Sequence, residues 1–164
     1  MIIGIDASRT TVARRTGTEA YSLELTRALL DLQTDHHWRL YFRDEPAPGL
    51  FPQKKFDLRL ITPRKLWTHV GLSRELMQTP PHRLFIPAHV LPAYHPCPSI
   101  VTIHDLGYIH FPQSHPFKQR LYLDLSTRFS AKFATHLLAD SEATKRDLIR
   151  YYGTSAEKIT VVYP

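Results

Sequence analysis

Seven short apolar runs recur along the chain, at Met1–Asp6, Trp38–Phe42, Phe56–Ile61, Arg83–Ile86, Ser99–Ile103, His136–Ala139 and Ile159–Tyr163. The first is nearly all apolar and ends in an acid, which fits a strand covered on both faces better than an alternating, half-exposed one. Ser99–Ile103 is β-branched almost throughout and reads as the clearest central strand. Segments of helical period lie between the runs. Thr16-Gly-Thr-Glu19 has the S/T-x-x-E spacing of a capping box, and Tyr21, Leu25, Ala28, Leu29 and Leu32 then trace one apolar stripe. Phe117, Leu121, Leu125, Phe129 and Phe133 step by four, which predicts a helix of about five turns. A helix is also expected over residues 65–78, and another is capped by Ser141 and closed by Gly153. The segment His104–Pro116 reads as loop. Strands alternating with helices make an α/β fold, a parallel sheet with helices on both faces.

At 164 residues, with 43% hydrophobic and 22% charged content, the chain carries enough apolar side chain for one domain. A single cysteine, Cys97, excludes a disulfide framework and a cysteine-based zinc site, and suits a reducing compartment. No apolar run approaches the ~20 residues of a membrane span, and no secretory signal pattern is visible at the start. The net charge of +6 invites a nucleic-acid reading. It is evenly spread, however: residues 1–82 hold 12 Lys and Arg against 9 acids, and residues 83–164 hold 9 against 6. The clusters Arg14-Arg15, Lys54-Lys55, Arg64-Lys65 and Lys145-Arg146 are short and read as solvated surface.

Ligands of open parallel sheets sit at the carboxyl ends of the strands. That rule selects the loops 7–18, 87–98 and 104–116 and the turn at Asp140-Ser141. Gly17 opens the first long helix, where backbone N–H groups and the helix dipole suit an anion and a glycine admits a phosphate. An ordinary helix cap accounts for the same residue. There is no G-x-G-x-x-G fingerprint and no P-loop. His104 follows the strongest strand and so faces the ligand crevice, where it can hydrogen-bond a sugar hydroxyl or act as an acid or base; a satisfied structural histidine beside a loop-ordering Asp105 accounts for it equally well. His89, His95, His110 and His115 match no metal-ligand spacing. Asp6, Arg9 and Glu19 complete the polar residues at the mouth, and capping accounts for Ser141.

Taken together these residues resemble the N-terminal half of a retaining glycosyltransferase of the GT-B class, in the family called group 1 or family 4. The pieces are the opening strand, the Gly17 loop before a long helix, and Val101-Thr-Ile-His-Asp-Leu106. The tail is the most specific: Ala139-Asp-Ser-Glu-Ala-Thr-Lys-Arg-Asp-Leu148, then Gly153, then Lys158-Ile-Thr-Val-Val-Tyr-Pro164. The resemblance implies a Rossmann-like fold and transfer of a sugar from a nucleotide-sugar donor to a sugar or lipid-linked acceptor, with retention. It implies no required metal or other cofactor. His104 matches the family's catalytic position. Thr16, Gly17 and Thr18 match its phosphate-contacting loop, and Glu19 and Asp105 join them as substrate-binding residues. Thr18-Glu19 stand where the family often has a second small residue.

By the same resemblance, residues 1–164 form one acceptor-side domain. A donor-binding C-terminal domain, with the paired acids and the basic residues for nucleotide and phosphate, is expected beyond Pro164. The domain alone is then expected to be inactive. The expected compartment is the cytoplasm, and the resemblance admits peripheral contact at the inner face of the membrane but no nucleic acid. No stretch combines a basic and an exposed apolar face strongly enough to assign that contact. The alternative is a non-catalytic α/β module docking on nucleic acid or anionic lipid through its basic surface.

Overall fold

A computed structural model describes residues 1–52 and 56–164, so the pair Lys54-Lys55 lies outside the described residues. Seven strands, β1 (Ile2–Asp6), β2 (His37–Phe42), β3 (Phe56–Leu60), β4 (Arg83–Ile86), β5 (Ser99–Ile103), β6 (His136–Ala139) and β7 (Ile159–Val161), coincide with the seven apolar runs to within two residues. The long helices are α1 (Gly17–Asp31), α4 (Phe117–Phe133) and α5 (Glu142–Tyr152). Among the described residues no helix is long and apolar enough to cross a membrane.

Two compact units organise the chain: Met1–Pro87 with Pro92–Ser99, and Ala88–Leu91 with Ile100–Pro164. In the first unit β1 pairs in parallel with β2 on one side and with β4 on the other, and β2 pairs in parallel with β3. The order β3-β2-β1-β4 reverses direction at β1 and β4, the kind of switch point outside which open sheets bind ligands. The middle of β1 is packed tightly. A methyl group at Gly4 would stand 2.7 Å from the ring of Tyr41 and 3.0 Å from Pro81, and Tyr41 is fully buried. In the second unit β6 pairs in parallel with β5 and β7. Its βα turn at Ser141 and the left-handed Gly153 (φ 64°) bound α5 as the sequence predicts.

The helices form where their periodicity places them, but α1 and α4 turn different faces inward. α1 buries Ser22, Leu23, Thr26 and Leu30, while Ala28 and Leu32 of the expected stripe are exposed. α4 buries Ser126, Thr127, Ser130 and Ala131, and of the residues that step by four, Phe117, Leu121, Leu125 and Phe133 stand in solvent. The physical reason is that hydroxyls on the buried faces bond back to nearby carbonyls, so their polar atoms go inside without loss. Ser22 donates to the Thr18 carbonyl (2.8 Å), Thr26 to Ser22 (2.6 Å) and Ser126 to Leu123 (3.1 Å). Small residues thus line the inner face of α4, while α1 buries Leu23 and Leu30 beside its two bonded hydroxyls.

Two other expectations change. The helix over 65–78 begins as a π-helical turn, Trp67–Leu72, and only then becomes α2 (Ser73–Gln78). It starts after Leu66, whose left-handed φ of 54° prevents an earlier helical start. The expected loop 104–116 contains a helical turn, α3 (Gly107–His110), and a 3₁₀ turn at Pro112–Ser114.

The crowding at Gly4 gives a test. Gly4→Ala should destabilise the chain by about 1–3 kcal/mol, the usual cost of overpacking a tight core. Denaturant unfolding checks this, and an unchanged midpoint would mean that Tyr41 and Pro81 yield freely.

Candidate functional site

Each unit carries chemistry at the carboxyl end of its strands. In the first unit, β1 ends in Asp6, whose Oδ1 accepts the backbone N–H of Ser8 at 2.9 Å. Thr10 then donates both its hydroxyl (2.7 Å) and its N–H (3.1 Å) to the Ala7 carbonyl. Asp6, Ser8 and Thr10 are all buried, so the start of the loop is fixed by its own hydrogen bonds. Burial pushes the Asp6 carboxyl above its ordinary value, against the bonds from Ser8 and the nearby Arg9 and Arg43 charges.

That loop delivers Thr16 to the start of α1, and the predicted capping box forms. The Glu19 carboxylate accepts the Thr16 N–H at 3.0 Å and also the Thr16 hydroxyl, and Arg9 lies 3.6 Å from its other oxygen. Burial raises the Glu19 carboxyl, but the Thr16 bonds and the Arg9 charge outweigh it, leaving it below the usual carboxylate range. Thr16 and Glu19 thus satisfy each other. The first-turn N–H groups of Gly17 and Thr18 have no carbonyl within their own helix to bond. A methyl group added at Gly17 would meet nothing within 4 Å, so neither crowding nor a left-handed backbone demands glycine there.

In the second unit, His104 directly follows β5, and its ring is buried. Asp140 occupies the same place after the neighbouring strand β6, and its Oδ2 lies 3.7 Å from His104 Nδ1. Thr144, in the first turn of α5, donates its hydroxyl to the His104 carbonyl at 2.9 Å and sits 3.0 Å from Asp140 Oδ1. The ring of His89 packs against that of His104 at 5.3 Å between centroids. Ser130 of α4 holds the His89 segment by donating to the His89 carbonyl (2.7 Å) and accepting the Leu91 N–H (3.2 Å). Asp105 turns away from this cluster, and its Oδ1 accepts the Gly107 N–H at 2.7 Å.

The segment after Asp105 is pinned. Tyr108 and Tyr152 share a 2.7 Å hydroxyl contact, Tyr152 donates to Asp124 at 2.8 Å, and His110 meets Asp147 at 2.6 Å. Burial and the bonds to Tyr108 and Asp124 push the Tyr152 phenol up.

The structure thus joins Thr16, Glu19 and Arg9 in one unit, and His104 with Asp140 in the other. Sequence reasoning did not connect Asp140, Thr144 or His89 to His104. For Asp140 the signal was present: it directly follows β6 as His104 follows β5, and adjacent parallel strands carry such residues to the same edge.

Comparison with known proteins adds the following. The model of the family described as Glycosyltransferase Family 4 matches residues 15–164. The O-antigen chain mannosyltransferase RfbU of Salmonella typhimurium (strain LT2) is 32% identical over 63 residues, which is 38% of this chain and 17% of that protein. The crystal structure of WaaG, a glycosyltransferase involved in lipopolysaccharide biosynthesis, superposes with a TM-score of 0.69 at 15% identity, over 100% of this chain and 45% of that one. The lipopolysaccharide outer core galactosyltransferase WaaB, in its apo form, gives a TM-score of 0.53 at 15% identity, over 99% and 45%. The chain therefore spans less than half the length of these relatives, and the two structural likenesses bear on its fold.

The Glu19 environment has a pH consequence. A carboxyl held low in the folded state adds stability above its unfolded value, near 4.5, and that stability is lost as pH falls through the folded value. Glu19→Gln should therefore cost about 0.5–2 kcal/mol at neutral pH, in the range of lost caps. The difference from the unmodified chain should close in acid. Unfolding midpoints taken across that pH range read the gap directly; a gap independent of pH would sink the assignment.

Proposed function

The chain belongs to Glycosyltransferase Family 4, and we propose that it is the acceptor-side domain of an enzyme transferring a sugar from a nucleotide-sugar donor to an acceptor with retention. The observation that carries this reading is His104, a buried histidine held at the carboxyl end of β5 by Thr144 and beside Asp140. A side chain fixed in this way is positioned before substrate arrives, which is what a contact to a reacting sugar requires. On this reading His104 hydrogen-bonds the transferred sugar or the neighbouring acceptor hydroxyl, with Asp140 orienting its ring. The N–H groups of Gly17 and Thr18 receive the donor's phosphate at the positive end of α1, and the open space at Gly17 lets that phosphate approach the backbone. Thr16 and Glu19 hold that helix start in shape, and Asp105 shapes the turn after His104.

The acceptor lies against the segment 104–116. The donor's nucleotide is bound by a second domain of a longer protein, a reading supported by the coverage of 45% of each solved relative. The likeness of part of the chain to a mannosyltransferase favours a hexose as the transferred sugar. The proposed setting is cytoplasmic, with the acceptor a sugar or a lipid-linked sugar.

Two measurements test the reading. Residues 1–164 alone should show no sugar transfer from a panel of nucleotide sugars, whereas a two-domain chain should turn over; equal turnover would overturn the division of labour. In the active two-domain chain, His104→Ala should lower kcat by at least about tenfold, as expected for a lost positioned group. Unchanged kinetics would return His104 to a structural role.

A further inference from the structure

β3 stands at the end of its sheet, so only one of its edges is paired. Ile61 donates its N–H to the Phe42 carbonyl at 2.9 Å, and backbone groups alternate in direction along a strand. Asp57 and Arg59 therefore turn their N–H and C=O groups toward β2, and Phe56, Leu58 and Leu60 turn theirs outward. Among the described residues no hydrogen bond reaches Leu58 or Leu60 from beyond β2. Their side chains, 46% and 51% exposed, lie on the other face of the strand from Asp57 and Arg59. Free edges are usually blunted by lysine, proline or a bulge, and β3 carries none of the three.

From this edge we infer that β3 pairs with β3 of a second copy of the chain, antiparallel and about a two-fold axis through Leu58. The strand sequence Phe-Asp-Leu-Arg-Leu is self-complementary in that register. Leu58 meets the partner's Leu58, and each donates its N–H to the other's carbonyl. Phe56 meets the partner's Leu60 in the same way, so the outward backbone groups of the strand are all used. Asp57 meets the partner's Arg59 at a non-hydrogen-bonded position, where opposite side chains stand closest. Charge selects the occupant. Asp57 lies 3.7 Å from Arg39 and Arg59 lies 4.0 Å from Glu75, yet the Asp57 and Arg59 side chains are still 66% and 43% exposed. Pairing extends these contacts into one row of alternating sign: Arg39, Asp57, the partner's Arg59 and the partner's Glu75. On the opposite face it covers Leu58 and Leu60. An unrelated extended segment would satisfy the backbone alone, without matching the charges on one face and the leucines on the other. A five-residue edge is small beside the ~800 Å² per partner of a standard interface, so the dimer is a reversible one. The inference is independent of the transferase reading, because association is measured without donor or acceptor.

The experiment is sedimentation equilibrium of residues 1–164 from micromolar to millimolar concentration. A monomer–dimer equilibrium is expected. Amide hydrogen exchange reads the register: the Leu58 and Leu60 N–H groups should slow as the dimer forms, while those of Asp57 and Arg59, already bonded to β2, should not change. Leu58→Glu meets its own copy on the axis. It should raise the dissociation constant at least about tenfold, because each dimer loses two leucine contacts and sets two carboxylates abreast. Asp57→Lys and Arg59→Glu should each be monomeric alone, and an equimolar mixture of the two should dimerise, since every cross-strand pair is then of opposite sign. Circular dichroism checks that each variant folds; if a charge variant does not, Leu58→Glu and the exchange pattern decide. Leu121→Glu, on an exposed residue of α4, should leave the equilibrium unchanged. The inference is overturned if the chain stays monomeric throughout, which would leave the edge to a segment of another protein. It is equally overturned if Leu121→Glu removes a dimer that Leu58→Glu leaves intact, or if the folded charge variants fail to associate when mixed.

Discussion

Parallel pairing is the constraint on which the remaining features depend. When neighbouring strands run the same way, every strand delivers its last residue to one edge of its sheet, and each βα turn opens there. In the first unit that edge receives Asp6 and the loop to Gly17; in the second it receives His104 after β5 and Asp140 after β6. The pair His104 and Asp140, 36 positions apart in the chain, becomes a 3.7 Å neighbourhood through strand register alone. Ile103 pairs with Ala139, so the next residue on each strand leaves the sheet at the same level. Thr144 then fixes that level by tying α5 to the His104 carbonyl, a hydrogen bond between elements that only the parallel order makes adjacent.

Parallel crossovers need helices laid closely on strands, and this shapes what the helices can bury. α4 places serine, threonine and alanine inward, and α1 buries Ser22 and Thr26 beside Leu23 and Leu30, with the Ser22, Thr26 and Ser126 hydroxyls bonded within their own helices. Ser130 shows how much one such residue can do. Its hydroxyl closes two hydrogen bonds to the His89–Leu91 segment, and so ties the histidine that packs on His104 to the body of α4. The bulky residues of α4 are then free to face outward, and the same choice that lets the helix approach its support creates the exposed stripe.

The sequence made the strands legible because a buried parallel strand is a short apolar run whatever its neighbours are. It made the Thr16 capping box, the Ser141 cap and the Gly153 stop legible, since caps are local chemistry. Helix facing was not legible. Periodicity detects a stripe of large apolar side chains, but the inward stripe of α4 is made of small polar ones, and their burial depends on hydrogen bonds that no hydropathy count sees. His104 and Gly17 were legible as residues at strand ends and helix starts. Of the surroundings of His104, Asp140 was legible from its place after β6, but Thr144 and His89 were not, because they reach it through the turn into α5 and the Ser130 tether.

Glu19 shows how a cap would share one helix terminus with the anion site proposed above. A carboxylate at the third helical position is favoured by the dipole, yet it adds negative charge where the proposed phosphate would arrive. The structure offsets that charge twice, through the two Thr16 donors and through Arg9 at 3.6 Å. Because Glu19 takes the Thr16 N–H, the donors left for a ligand are those of Gly17 and Thr18, one residue deeper in the helix. Thr18, where the resembling family often has a smaller residue, has its own carbonyl engaged by Ser22. Arg9 is half-exposed and held near Glu19 by charge alone, so the hydrogen-bonded cap does not depend on it.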